Sequence, residues 1–192
     1  MDSGSVAFLR ELLSGTGWLE HARELGAALR ATRSPGGLLL VGTPDEEPWH
    51  LTAHLDDEAR LSGLRQLSPT LVRWSPPADA PAHLRVGLER IERAARGETL
   101  FVVAERQAPA PLLERVDDAR RTGATVLALE GGDAELAGLA HDAIAVPPRG
   151  LVTFDGAQHL VSAAAGEVEQ RPTLRARLAR LLDKVSGPQV TD

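Results

Sequence analysis

The chain has 192 residues, 43% hydrophobic and 25% charged, which is the balance of a soluble globular domain with enough interior for a core. A net charge of −6 with no basic cluster argues against nucleic acid and against an anionic membrane as partners. Cysteine is absent, so disulfides, zinc–thiolate centres and thiol catalysis are excluded.

No apolar run approaches the length of a membrane span, and Met1-Asp-Ser-Gly-Ser lacks the basic start of a signal peptide. A cytoplasmic protein is expected. The first predicted element is a short helix over 6–13, broken at Ser14-Gly-Thr-Gly. A second helix runs from Trp18 to Ala31, with Trp18, Leu25, Ala28 and Leu29 near one face. Leu38 to Val41 is apolar without alternation, as in a strand covered on both faces. It stops at the small-residue turn Gly42-Thr43-Pro44-Asp45, and Trp49 to Leu61 then reads as helix. Thr70 to Trp74 is a weaker strand, and the Pro-rich stretch 75–81 is a loop.

The spacing of Leu84, Leu88, Ile91 and Ala95 predicts a helix over 82–96. A buried strand follows at Thr99 to Ala104. The next helix, Pro109 to Thr122, places Leu112, Leu113, Val116 and Ala119 on one face, and Gly123 closes it. Thr125 to Leu129 is a strand, Glu130-Gly-Gly-Asp a turn, Ala134 to Ala140 a short helix and Ala143 to Val146 the last strand. Residues 154–165 are apolar almost all round, so that helix is buried. An amphipathic helix over 174–185 and a loose tail over 186–192 complete the chain. Strands alternating with helices across short loops imply a parallel sheet with helices on both faces, and 1–185 reads as a single domain. In such a sheet, ligands sit where strand ends meet helix starts. The turns after Val41 and Ala104 are two such junctions.

This pattern resembles the SIS (sugar isomerase) domain over nearly the whole chain. The likeness rests on the helical opening over 1–33, the strand Gly37-Leu-Leu-Leu-Val-Gly-Thr, and the unit from Leu100-Phe-Val-Val to Val126-Leu-Ala-Leu. It continues through Leu139-Ala-His-Asp-Ala-Ile-Ala-Val-Pro and Gln158 in the following helix. A little-characterised bacterial branch of SIS-like proteins, with an acidic stretch like Asp56-Asp-Glu-Ala-Arg-Leu, is a closer likeness. The resemblance implies a three-layer α-β-α fold with an N-terminal helical arm and five parallel strands in flavodoxin-like order. It also implies a switch point between the strands ending at Thr43 and Ala104, and a homodimer formed through the arm.

SIS domains that bind sugar phosphates use a loop of type Ser-x-Ser-Gly-x-Ser/Thr after the third strand. Its hydroxyls and helix-start amides wrap the phosphate. Counting back from Gly123, the hydroxyl positions fall on Ala104, Arg106 and Pro109, and the glycine position on Gln107. Every donor hydroxyl is replaced. In the first loop, Thr43 is the only hydroxyl, and three carboxylates follow it, Glu46 among them. Carboxylates repel a phosphate. Arg106 is either an anion anchor or the ion-pair partner of Glu46 or Glu105. The expected ligand-contacting residues are therefore Gly42, Thr43, Glu46, Glu105, Arg106, Gln107 and Asp133. Asp133 is more simply a helix cap.

The phosphoheptose-isomerase type carries a Glu in the helix after the first strand, which Asp56, Asp57 or Glu58 matches loosely. It also carries a His after a Gln-Glu pair in the late helix. Here that stretch is Gln158-His159-Leu160-Val161, so the family's Glu falls on His159 and its His on Val161. The candidates for residual acid–base chemistry are Asp56, Asp57, Glu58, His50 and His159. His50 and His54 share the spacing of a two-His metal pair, with Asp57 or Glu58 a turn further on, but the intervening glutamate of a zinc-protease helix is missing. The simpler reading sends one His to the pocket and the other to solvent, with no metal. His21, His83 and His141 read as surface or helix-end residues. No cofactor is implied. The leading expectation is a non-catalytic, dimeric SIS-like domain that holds a small polar or sugar-derived ligand, or plays a regulatory part. The alternatives are an isomerase with a rebuilt site and a purely structural module.

Overall fold

The computed structural model describes residues 11, 13–33 and 35–167. The helix expected over 174–185 and the tail lie outside these residues, as does nearly all of the helix expected over 6–13. In chain order the elements are α1 (Trp18–Arg30), β1 (Leu38–Val41), α2 (Trp49–Ser62), β2 (Thr70–Val72) and a single turn α3 (Glu89–Glu92). After these come β3 (Thr99–Ala104), α4 (Ala110–Arg121), β4 (Thr125–Glu130), α5 (Ala134–Leu139), β5 (Asp142–Ala145) and α6 (Phe154–Gly166). All strand pairs are parallel, and the sheet order is β2-β1-β3-β4-β5. This is the expected flavodoxin-like three-layer α/β fold.

The strands lack alternation because both faces are covered. Leu38, Leu40, Phe101, Val103, Leu127 and Leu129 point to one face, beneath α1, α2 and α6. Leu39, Val41, Leu100, Val102, Val126 and Ala128 point to the other, beneath α3, α4 and α5. Alternate residues thus feed two cores on opposite sides of one sheet. Gly123 adopts φ 96°, the left-handed conformation expected at the end of α4.

One detail differs from expectation. The helix predicted over 82–96 is not continuous. It is a 3-10 turn at Ala82–Leu84, an extended piece and then α3. Arg73 donates its N–H to the Val86 carbonyl at 2.8 Å, and Arg73 and Gly87 form a parallel bridge. The segment therefore prolongs the sheet edge beside β2. α1 packs along α6 as part of the helical layer. Gly26 allows this approach, because a Cβ there would stand 2.7 Å from the Ala164 backbone carbon. Arg30 Nη1 donates to the Ala164 and Ala165 carbonyls at 2.5 and 3.2 Å, capping the end of α6.

Candidate functional site

The carboxyl ends of β1 and β3 lie side by side, and the loops beyond them diverge around a crevice of about 280 Å³. Its walls are Thr43, Pro44, Asp45 and Glu46 from the first loop and Arg106, Gln107 and Pro109 from the second. Thr43, Glu46, Arg106 and Gln107 are thus brought together as expected. Asp45 and Pro44 complete the wall and were not singled out from the sequence. The crevice sits at the topological switch point, where an open parallel sheet leaves room for a ligand.

Gly42 has a different role from the one expected. A Cβ on Gly42 would overlap the carbonyl oxygen of Glu46. The glycine is needed because the loop folds back on itself, with Thr43 N–H donating to Glu46 O at 3.1 Å and Glu46 N–H to Thr43 O at 3.2 Å. Trp74 Nε1 donates to the Gly42 carbonyl at 2.9 Å, and Glu47 accepts from Arg73 Nε at 2.9 Å and from Trp49 Nε1 at 3.0 Å. Both tryptophans brace the loop from behind and leave the crevice open.

The second loop shows why the start of α4 is a poor phosphate cradle. Among residues 107–111, Pro109 and Pro111 have no N–H, and the Ala108 N–H donates to Asp133 Oδ2 at 2.7 Å. The other oxygen of Asp133 accepts from the Glu135 and Leu136 amides at 3.1 and 3.0 Å. Asp133 is 4% exposed and caps α5, so its carboxylate is fully used inside the protein. Glu130, 3% exposed, likewise accepts from the Gly132 and Asp133 amides. A Cβ on Gly131 would overlap the Glu105 carbonyl, so the Gly-Gly turn serves packing between the two loops.

Charge at the crevice mouth is mostly negative. Partial burial, then the neighbouring Glu105 carboxylate, raises the Glu46 pKa above its ordinary value, while Arg106 pulls it the other way. Arg106 lines the crevice without an ion pair to Glu46 or Glu105 among the described residues. Glu105 itself is exposed next to that mouth.

The acidic triplet of α2 turns elsewhere. Asp56 accepts from the Ser68 hydroxyl and from Arg60 Nη2, both at 2.6 Å; the Ser68 bond, with Arg60, holds its carboxyl below the usual range. Asp57 stands 3.2 Å from Arg60 Nη2, and Glu58 lies against Gly166 of α6. None of the three lines the crevice, so none is placed as an acid or base there. Asp57 and Glu58, a turn beyond His50 and His54, do not join those rings in a cluster among the described residues; His159 of α6 does. The three rings stand with centroids 4.4–4.8 Å apart. Burial, then the adjacent imidazoles, keeps His54 and His159 below the ordinary histidine range. Asp155 also joins this group, with Oδ1 3.3 Å from His50 Nδ1. It sits in the first turn of α6 and carried no signal in the sequence. His21 and His141 are structural. His21 Nε2 is 2.9 Å from Asp142 Oδ1, tying α1 to β5, and His141 Nδ1 accepts the Val126 N–H at 2.9 Å.

No family model matches the chain, and no curated protein does. Among solved structures, the chain is similar to the sugar isomerase domain of an RpiR transcription factor from Sphaerobacter thermophilus. The TM-score is 0.54 at 17% identity, covering 96% of this chain and 99% of that one. It is also matched to a candidate sugar-binding protein from Salmonella typhimurium LT2, at 16% identity, 89% of this chain and 54% of that one, with a TM-score of 0.43. The first likeness shows that the fold is SIS-like. Among the described residues, no helix is long and apolar enough to cross a membrane.

Proposed function

We propose that this chain is a divergent, non-catalytic SIS-like domain that holds an unphosphorylated sugar derivative or another small polar ligand between the loops after β1 and β3. The observation that carries this reading is the α4 start. Its amides are missing at Pro109 and Pro111 and taken by Asp133 at Ala108, and no hydroxyl stands in the loop. A phosphate there would meet few donors and several carboxylates. A polyol would instead find Thr43, Glu46 and Gln107, with Arg106 at the rim. Asp56 and Asp57 of α2 are ion-paired to Arg60 away from the crevice, which favours binding over turnover.

A similar fold serves as the sugar isomerase domain of a transcription factor, and this supports a regulatory role; the homodimer rests on the resemblance of the helical opening alone. Isothermal titration against paired sugars and sugar phosphates tests the binding reading. The unphosphorylated member should bind at least as well as its phosphate ester, and Gln107→Ala should weaken it several-fold. Tight binding of a sugar phosphate followed by aldose–ketose turnover would overturn the proposal.

A further inference from the structure

Three imidazoles from two helices, α2 and α6, converge on one point. His50 and His54 are one turn apart on α2, so their side chains share a face. His159 comes from α6, which packs against α2. One coordinating atom from each lies within 4.8 Å of the others. His50 Nε2 and His54 Nε2 are already 2.9 Å apart. His159 is 4% exposed, and its Nε2 is buried with no hydrogen-bond partner. A buried ring nitrogen left unpaired is rare in folded proteins and needs a reason.

We propose that His50, His54 and His159 form a binding site for a divalent transition-metal cation of the zinc type. Nitrogens around a cation at about 2.0–2.1 Å stand roughly 3.3 Å from one another, and small side-chain rotations bring these three to that spacing. All-imidazole donors select zinc, nickel or copper over magnesium or calcium, which require oxygen ligands. Asp155 supports the site from outside. Its Oδ1 faces His50 Nδ1 at 3.3 Å, so it can hold that ring with Nε2 turned towards the ion, while its Oδ2, 3.5 Å from His159 Nε2, lies on the ion's side of the His159 ring. Three protein ligands leave a fourth position, and the exposure of His50 opens it to solvent. Asp155 is also close enough to Glu46 to influence its ionisation. The site stands on the three rings alone and does not depend on what the crevice binds.

The test is titration of the full chain, stripped with chelator, against zinc chloride by calorimetry, with cobalt(II) absorbance as a second readout. One equivalent per chain should bind, with the intense visible bands of a four-coordinate cobalt site, and millimolar magnesium should not compete. His50→Ala, at an exposed position that should leave folding intact, and His54→Ala should each weaken binding at least tenfold. Asp155→Asn should weaken it by about tenfold, within the usual range for an outer-shell partner. The exposed His83→Ala should change nothing. Zinc binding that survives both His50→Ala and His54→Ala at full affinity, or wild-type binding of less than one equivalent, would overturn the proposal.

Discussion

At the residue scale, Asp133 decides more than its cap position suggests. One carboxylate joins three backbone amides, from Ala108, Glu135 and Leu136, and so ties the loop after β3 to the start of α5. Its removal leaves buried donors unpaired, and that costs more than a surface cap would. Asp133→Ala should destabilise the protein by about 2–3 kcal/mol, and Asp133→Asn by roughly half of that, because the amide oxygen can still accept at one end. Chemical denaturation read by circular dichroism checks both; an alanine variant as stable as wild type would show that the carboxylate does not hold the loop. The cap was legible in Glu130-Gly-Gly-Asp before a short helix. The bond to Ala108 was not, since it spans 25 residues and no local pattern encodes it.

At the element scale, the strands were the most legible part, and the reason is physical. The apolar runs of β1, β3 and β4, buried along their length and bounded by turns, fit a parallel sheet covered by helices on both faces. Periodicity misled at 82–96. Leu84, Leu88 and Ile91 do face inward to differing degrees, yet the peptide at Val86 is drawn to Arg73 and the segment cannot close a continuous helix. Helical spacing reports which side chains are apolar, and a sheet edge can outbid the helix for their amides. The position of the crevice was legible by the same logic: the switch point follows from topology, so Thr43, Glu46, Arg106 and Gln107 could be assigned to one opening. Asp155 and the convergence of His159 on His50 and His54 were not, because they depend on how α6 lies on α2. The packing of α6 also rests on α1. At Gly26 a methyl group would press on the Ala164 and Ala165 backbone at 2.7–2.8 Å, where no flexible side chain can yield. Gly26→Ala should therefore lower stability by about 1–3 kcal/mol despite alanine's better helix propensity, as a drop in Tm would show. A Tm equal to or above wild type would mean that the two helices can separate without cost.

For the whole molecule, charge sets what the crevice can accept. The chain carries −6 overall, and Asp45, Glu46 and Glu105 surround the mouth against a single Arg106. The two signs make opposite predictions for an anionic ligand when salt is raised. From 50 to 500 mM NaCl the screening length falls from about 14 to about 4 Å. If repulsion by the carboxylates dominates, the weak affinity for a sugar phosphate should hold steady or rise across that range, while its unphosphorylated parent is unaffected. If Arg106 acts as a bidentate anchor, the phosphate affinity should instead fall several-fold with salt and be lost in Arg106→Ala. Calorimetry at the two salt concentrations separates these cases. The first is expected here, because an arginine at the rim, exposed to solvent, gains little from one anion, whereas three acidic groups converge on the same opening. The second outcome would return the crevice to phosphate chemistry and with it the case for an isomerase.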